Sequence, residues 1–220
     1  MVVVTGNPHK FEEAASKLAS CLPGAVLRRC LAPLRELQAD SLDDVAVSKV
    51  ADALSLGVGK VVAEAGFTGF LVEDTGFFLD AYPGFPGVYS AHVQRTLGNN
   101  GVLRLLRDSC NRKARFEAVL AYNEASTGLT RLFHGVVPGV VAREARGTGG
   151  FGYDPIFEPE GGGGLTYAEM SQEEKNATSH RAKALEGLAA YLKGDRDAGV
   201  VVKVERREVG ALRWGKTLGG

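Results

Sequence analysis

The chain opens MVVVTGNPHK over residues 1–10, and this stretch decides the first layer of the fold. Residues 1–4 form a short apolar run rich in β-branched valine, the pattern of a buried strand. Gly6 supplies a tight turn. Asn7 stands in the N-cap position and Pro8 in the first helical turn, where a missing N–H costs nothing. Phe11, Ala14, Ala15 and Leu18 then recur on one helical face. Strand, glycine turn and helix open an α/β layer.

Working outward, Ser41 caps a second helix, with Asp44 three residues on and a stripe of Leu42, Val45, Ala46, Val50, Ala53 and Leu54. Residues 69–72 read as a buried strand that delivers Glu73 and Asp74 at its carboxyl end. Residues 82–87 read as a loop rich in proline and glycine, and residues 98–108 as a helix. Residues 115–122 and 129–141 make a long hairpin around the turn at 125–128. Residues 147–164 read as a loop, residues 179–193 as a helix stopped by Gly194, and residues 200–205 as a late strand. The predicted class is α/β, a mixed sheet flanked by helices. No repeat or linker divides the chain. The expected organisation is one domain over residues 1–194, followed by a C-terminal extension over residues 195–220.

Lysine plus arginine and aspartate plus glutamate both number 26, so no global basic field favours nucleic acid and any anionic ligand needs a local cluster of cations. Cys21, Cys30 and Cys110 have neither zinc nor disulfide spacing, which fits a reducing, cytoplasmic setting. No signal peptide is visible and no apolar run approaches bilayer length, so no membrane partner is expected.

Two well-known strings mislead. Residues 210–217 (GALRWGKT) fit a phosphate-binding loop, but only three residues follow, too few for the helix that such a loop needs. Gly147, Gly149 and Gly152 have dinucleotide-fingerprint spacing, but Pro155 and Pro159 forbid the helix that must follow. Other segments carry more. The small residues of 5–10 let backbone amides approach an oxyanion and Lys10 adds charge, although an ordinary capped helix start accounts for them too. Glu73 and Asp74 at a strand end suit Mg²⁺, which takes hard oxygen donors and keeps waters and phosphates as its remaining ligands. Taken alone, they are more simply read as turn acids that satisfy nearby backbone amides. Glu36 and Asp40, in a polar loop, could join the same ion or be merely solvated. Phe151 between glycines could stack on a base or anchor its own loop. His180 and Arg181 open a helix. Arginine donors suit a purine edge whose O6 and N7 accept, whereas an adenine 6-amino group would face them as a donor. A surface arginine beside a helix-start histidine accounts for them as well.

Taken together, TGNPHK (5–10), ELQAD (36–40), LVEDTG (71–76), GFPGVYS (84–90), GFGYDPIF (150–157) and TYAEMSQEEKNATSHR (166–181) resemble, in order, the inosine triphosphate pyrophosphatase family. The resemblance implies an elongated mixed sheet with two lobes, an active-site cleft between them, and a homodimer. It implies Mg²⁺-dependent hydrolysis of ITP, dITP and XTP to monophosphate and pyrophosphate. By resemblance, Thr5, Gly6, Asn7, Pro8, His9 and Lys10 hold the triphosphate. Glu36 and Asp74 hold the metal, with Asp74 also accepting the water's proton. Lys49 lies on the phosphate side and Thr75 beside the ion. Phe151 stacks on the base, Gly152, Tyr153 and Asp154 shape its pocket, and Lys175, His180 and Arg181 read the base and brace sugar and phosphates. The chain departs from the family in a longer stretch between Lys49 and Asp74, in the glycine run 161–164, and in the extension. Two other readings stay open: a pyrophosphatase for modified pyrimidine triphosphates, and a nucleotide-binding module without turnover.

Overall fold

The computed structural model of the chain describes residues 1–204. After β1 (Val2–Val4), the side-chain oxygen of Asn7 accepts from the His9 and Lys10 amides, and α1 (Pro8–Cys21) starts there. Such a cap stabilises a helix by about 1 kcal/mol. β2 (Arg28–Cys30) precedes α2 (Leu42–Ser55), which begins at Ser41 as its capping pattern predicts. α3 (Val58–Glu64), β3 (Gly69–Leu79), β4 (Tyr82–Gly87), α4 (Ser90–Thr96) and α5 (Gly98–Leu105) follow. The hairpin is β5 (Lys113–Glu124) with β6 (Thr130–Val141). A 3₁₀ turn (Asp154–Ile156), β7 (Phe157–Pro159), α6 (Gln172–Thr178), α7 (His180–Leu192) and β8 (Val200–Val202) complete the described residues.

The strands form one sheet in the order β2-β1-β3-β5-β6-β7, with β4 on β3 and β8 on β6. β1 runs parallel to β2 and β3, and the other pairings are antiparallel, so the sheet is mixed as expected. Strand alternation sorts two cores. Val3, Leu71 and Leu120 face α1 and α7, whereas Val2, Val4, Phe70 and Val72 face α2 and α3. Further along the same strands a separate aromatic core, including Phe77, Phe116, Tyr153 and Phe157, makes the second lobe with Val93 of α4 and Val102 of α5. Glu73, Asp74, Thr75 and Gly76 occupy the seam between Val72 and Phe77.

Four expectations change. β3 does not end at Val72. β5 pairs with it from Gly69 to Leu79, so the two acids sit in mid-strand. Residues 82–87 are not a loop. They pair with the end of β3 as an edge strand, where Pro83 and Pro86 need not donate to a second neighbour. α5 stops at Leu105, short of residue 108. The 147–164 loop contains the 3₁₀ turn and β7, whose Phe157 pairs with Val141. α3, α4 and α6 are seven residues each, too short for a periodic signal in sequence. The late strand is present at Val200–Val202; Glu205 and the GALRWGKT string lie outside the described residues.

Candidate active site

The pleat of β3 sends its two acids to opposite faces. Glu73, in phase with Leu71, turns towards α1 and α7; Asp74, in phase with Val72, turns towards α2. On the α2 side Lys49 forms a close ion pair with Asp74. On the other side Lys10 Nζ lies 3.3 Å from Glu73 Oε1, and Thr75 Oγ1 donates to that oxygen at 2.6 Å. A groove of about 660 Å³ opens over this seam. Thr5, Gly6, Asn7 and Lys10 form one wall, Glu36 and Lys49 another, and Glu73, Asp74 and Thr75 the floor. Pro8 and His9 are not among its lining residues, and neither is Asp40. Two residues of α4, His92 and Arg95, do line it, and their short helix gave no advance sign of them. The rest of α2, then α3 and the first half of β3, lie between Lys49 and Asp74, and the two residues end opposite one another.

Behind the floor runs a buried chain of alternating charges. Arg181 donates through Nε and Nη2 to the two Glu73 oxygens at 2.8 and 2.7 Å, and through Nη1 to Glu13 at close range. Lys175 Nζ reaches Glu13 at 3.0 Å and Asp154 at 2.8 Å. Asp154 in turn accepts the Phe151 amide at 2.7 Å. Three cations thus face three carboxylates between the groove and the Phe151 loop. Burial pushes the Glu73 carboxyl up, but Arg181 and Lys10 outweigh it and hold the group well below the usual carboxylate range. Glu13 is likewise held down, with Arg181 and Lys175 overcoming burial. For Asp154 burial wins over Lys175, and its carboxyl is raised. Arg181 is only 2% exposed, which rules out the reading of a surface arginine. Three of its five N–H donors are taken by carboxylates.

The Phe151 loop is fixed from several sides. Gln94 and Asn99 donate to the Gly152 carbonyl at 2.6 and 3.0 Å. Tyr153 is buried, stacks on Phe77 and donates to the Ser90 carbonyl. Gly150, at φ +69°, lets the Asp154 carboxylate lie against the backbone. The Phe151 ring stacks on His9 (centroids 5.4 Å apart, planes at 16°), and Lys175 Nζ lies 4.8 Å from its centroid. His180 is buried and stacked on Phe116, and neither ring nitrogen has a hydrogen-bond partner among the described residues. Burial, then the Arg181 charge, lowers its pKa well below the ordinary value. Glu13, a carboxylate beside the apolar stripe of α1, carries no sign in the sequence of its place in this chain of charges. Neither does Gly135 of β6, where a Cβ would collide with the His180 carbonyl. That glycine seats the first turn of α7, and with it Arg181, directly on the sheet.

The groove's donor set fits Mg²⁺. Glu73 is engaged by Arg181, Lys10 and Thr75, whereas among the described residues Lys49 is the side chain paired with Asp74. Among the described residues no three metal-ligating side chains gather. Two carboxylates with water and phosphate oxygens are enough for Mg²⁺.

Residues 1–191 match the model of the Ham1 family. The chain belongs to the Ham1 family. Among its relatives, the dITP/XTP pyrophosphatase of Thermococcus kodakarensis is 43% identical over 193 residues, 88% of this chain and 97% of the relative. That of Hyperthermus butylicus is 42% identical over 88% and 94%. Among solved structures, a Ham1 protein from Coxiella burnetii aligns with a TM-score of 0.69 at 28% identity, over 87% of this chain and 97% of that one. The dITP/XTP pyrophosphatase of Mycobacterium abscessus aligns at 0.60 with 31% identity, over 87% and 100%. The Ham1 match ends before β8, which adds its strand to β6 beyond the family's span.

Proposed function

We propose that this Ham1 chain is a nucleoside triphosphate pyrophosphatase that hydrolyses non-standard purine nucleotides, dITP, XTP and ITP, to the monophosphate and pyrophosphate. The observation that carries this reading is the meeting of Lys10, Lys49, Glu36 and Asp74 around one groove. A triphosphate brings about four negative charges, and the two lysines that now rest on Glu73 and Asp74 would turn to it. Thr5, Gly6 and Asn7 at the start of α1 offer small side chains and a helix N-terminus to the same anion, with Pro8 and His9 in the first turn. Glu36 and Asp74 would hold Mg²⁺, which when bound offsets phosphate charge and acidifies water.

Water attacks the α-phosphorus, the bond from that phosphorus to the bridging oxygen breaks, and pyrophosphate departs. Asp74 orients the water and receives its proton, with Thr75 beside it. Lys10 and Lys49 stabilise the charge that grows on the phosphates. For the base, Phe151 offers a face once His9 moves aside, while Gly152, Tyr153 and Asp154 set the loop that carries it. Arg181, with three of its five donors on Glu73 and Glu13, would offer the remaining two to the base edge, and Lys175 and His180 would brace the same corner. A 6-oxo purine would accept from such donors, and a 6-amino group would leave them unmatched. We also propose that residues 1–194 form the domain and residues 195–220 an extension, and that the chain acts as a cytoplasmic homodimer. The three cysteines are free, and no helix among the described residues is long and apolar enough to cross a membrane.

The test is pyrophosphate release from dITP, XTP, ITP, ATP, dTTP and modified pyrimidine triphosphates, with and without Mg²⁺. Release from dITP, XTP and ITP, and only with Mg²⁺, is expected. Equal release from ATP, or binding of ITP without release, would remove the proposal.

A further inference from the structure

A second cavity lies at the other end of the sheet. It measures about 560 Å³ and is lined by Asn100, Leu103, Arg104, Arg107, Arg112 and Arg143, none of which lines the first groove. Its floor, at Arg112, precedes Lys113, six residues along β5 from the Val119 that pairs with Asp74, or roughly 20 Å along the strand. Four guanidinium groups converge there in a chain of zero net charge. Among the described residues none of the four forms an ion pair with a carboxylate. Glu158, whose charge reaches Arg112, is itself paired with Arg146.

Helix electrostatics accounts for part of the cluster. Arg104 and Arg107 sit at the carboxyl end of α5, where a cation is favourable, and Arg112 caps the Leu106 carbonyl at 2.6 Å. Arg112 also donates to the carbonyls of Val141 (2.9 Å) and Ala142 (2.6 Å), which fixes its guanidinium. Arg143 is different. It comes from the segment after β6, ends no helix, and lies close enough for its charge to oppose that of Arg112. Arginine is weakly hydrated and matches phosphate oxygens two at a time. The cavity has the volume of a small-ligand site and the charge of one for a polyanion.

We infer that the Arg104–Arg107–Arg112–Arg143 cavity is a second anion site, distinct from the catalytic groove, which binds a compact polyphosphate, either free or as the tail of a nucleotide. Pyrophosphate and nucleoside triphosphates are the product and substrates of the reaction proposed above, so the site would sense the same pool. Its existence does not depend on that reaction.

The experiment is calorimetric titration of the full chain with inorganic tripolyphosphate at low salt. Two sites per chain are expected. The double variant Arg107→Ser/Arg143→Ser changes two exposed residues with no side-chain partner among those described, and leaves Arg112 in place. It should lose one site, with affinity there down at least tenfold, while dITP turnover stays within twofold of the unaltered chain. Lys10→Ala/Lys49→Ala should lose the other site and keep this one. Parallel titrations with pyrophosphate and ATP name the source, and either ranking against tripolyphosphate supports the site. A site count and affinity that the arginine variant leaves unchanged overturn the inference. So does a duplex oligonucleotide that binds through these arginines when tripolyphosphate does not. A single site that survives Lys10→Ala/Lys49→Ala and is lost in the arginine variant supports the inference and counts against the groove.

Discussion

Replacing Arg181 by alanine probes the buried charge chain at its centre. The guanidinium touches Glu73 with two donors and Glu13 with a third, and all three side chains are nearly inaccessible to water. Removing it leaves Glu13 with Lys175 at 3.0 Å and Glu73 with Lys10 at 3.3 Å, so neither acid is wholly abandoned. One negative charge in the buried set then has no counterpart. Breaking a buried pair from one side costs about 3–5 kcal/mol; the two surviving lysines place this change at the lower end of that range. That is a large share of a typical domain stability of about 5–15 kcal/mol. Urea denaturation followed by circular dichroism measures it, with the midpoint shift read at unchanged slope.

The pH dependence gives the argument a second, independent sign. In the native chain Glu13 and Glu73 titrate below their unfolded value of 4.5. Their contribution is therefore present above that value and is lost as pH falls through the depressed folded values. Without Arg181, burial is opposed only by the lysines, and the folded carboxyls rise. The variant's deficit should be greatest at neutral pH and shrink below pH 4.5. Pairing the change with Glu73→Gln, as Arg181→Met/Glu73→Gln, should recover about 1–2 kcal/mol by removing the orphaned charge. A loss under about 1 kcal/mol at pH 7, or one that does not vary with pH, would refute the charge-chain reasoning.

Asp74→Asn should keep the fold and lower turnover at least roughly 100-fold, the scale of one acid–base or positioning group; more than a tenth of the native rate would remove Asp74 from its role. Phe151→Ala should raise KM for dITP by a factor corresponding to about 1–3 kcal/mol of stacking, and an unchanged KM would leave Phe151 as a loop anchor only. Gly135→Ala places a methyl against the His180 carbonyl and should destabilise by at least about 1–3 kcal/mol; a neutral result in thermal unfolding would mean that α7 does not sit as close to β6 as described. Folded His180 stays neutral while the unfolded chain takes up a proton below pH 6.5, so native stability should fall below that pH by up to about 1.4 kcal/mol per unit from this residue. His180→Phe should remove one proton from the measured linkage between pH 6.5 and 5, and an unaltered slope would show that His180 titrates normally.

Much of the architecture follows from short-range patterns. The start of α1 rests on Asn7 and Pro8, the start of α2 on Ser41 and Asp44, and the long hairpin on alternation around a glycine turn. These features involve residues within a few positions of one another, and a sequence displays them directly. The limits of β3 and β4 do not. Polar residues in mid-strand look like a strand end until a partner of eleven paired residues is laid beside them, and two prolines look like a loop until the strand proves to be an edge. The three seven-residue helices exist because the surrounding surface holds them, not because their own residues repeat.

The candidate site divides in the same way. Lys10, Glu36, Lys49, Asp74 and Thr75 carry chemistry that their residue types announce, and the ordered segments that contain them are legible as one family. Their meeting at one seam needed β3 to turn successive acids to opposite faces, one towards α1 and α7 and the other towards α2. Glu13 was invisible because an acid beside another acid on a helix reads as solvated; only the arrival of Arg181 and Lys175, more than 160 residues away, makes it a buried counter-ion. Gly135 was invisible because its requirement is a neighbour's carbonyl. Local sequence thus determined which elements form and which chemical groups are available, since capping, turns and alternation act over a few residues. Tertiary structure alone decided which charges are buried together, because burial and Coulomb energy depend on distances between segments that the order of residues does not contain.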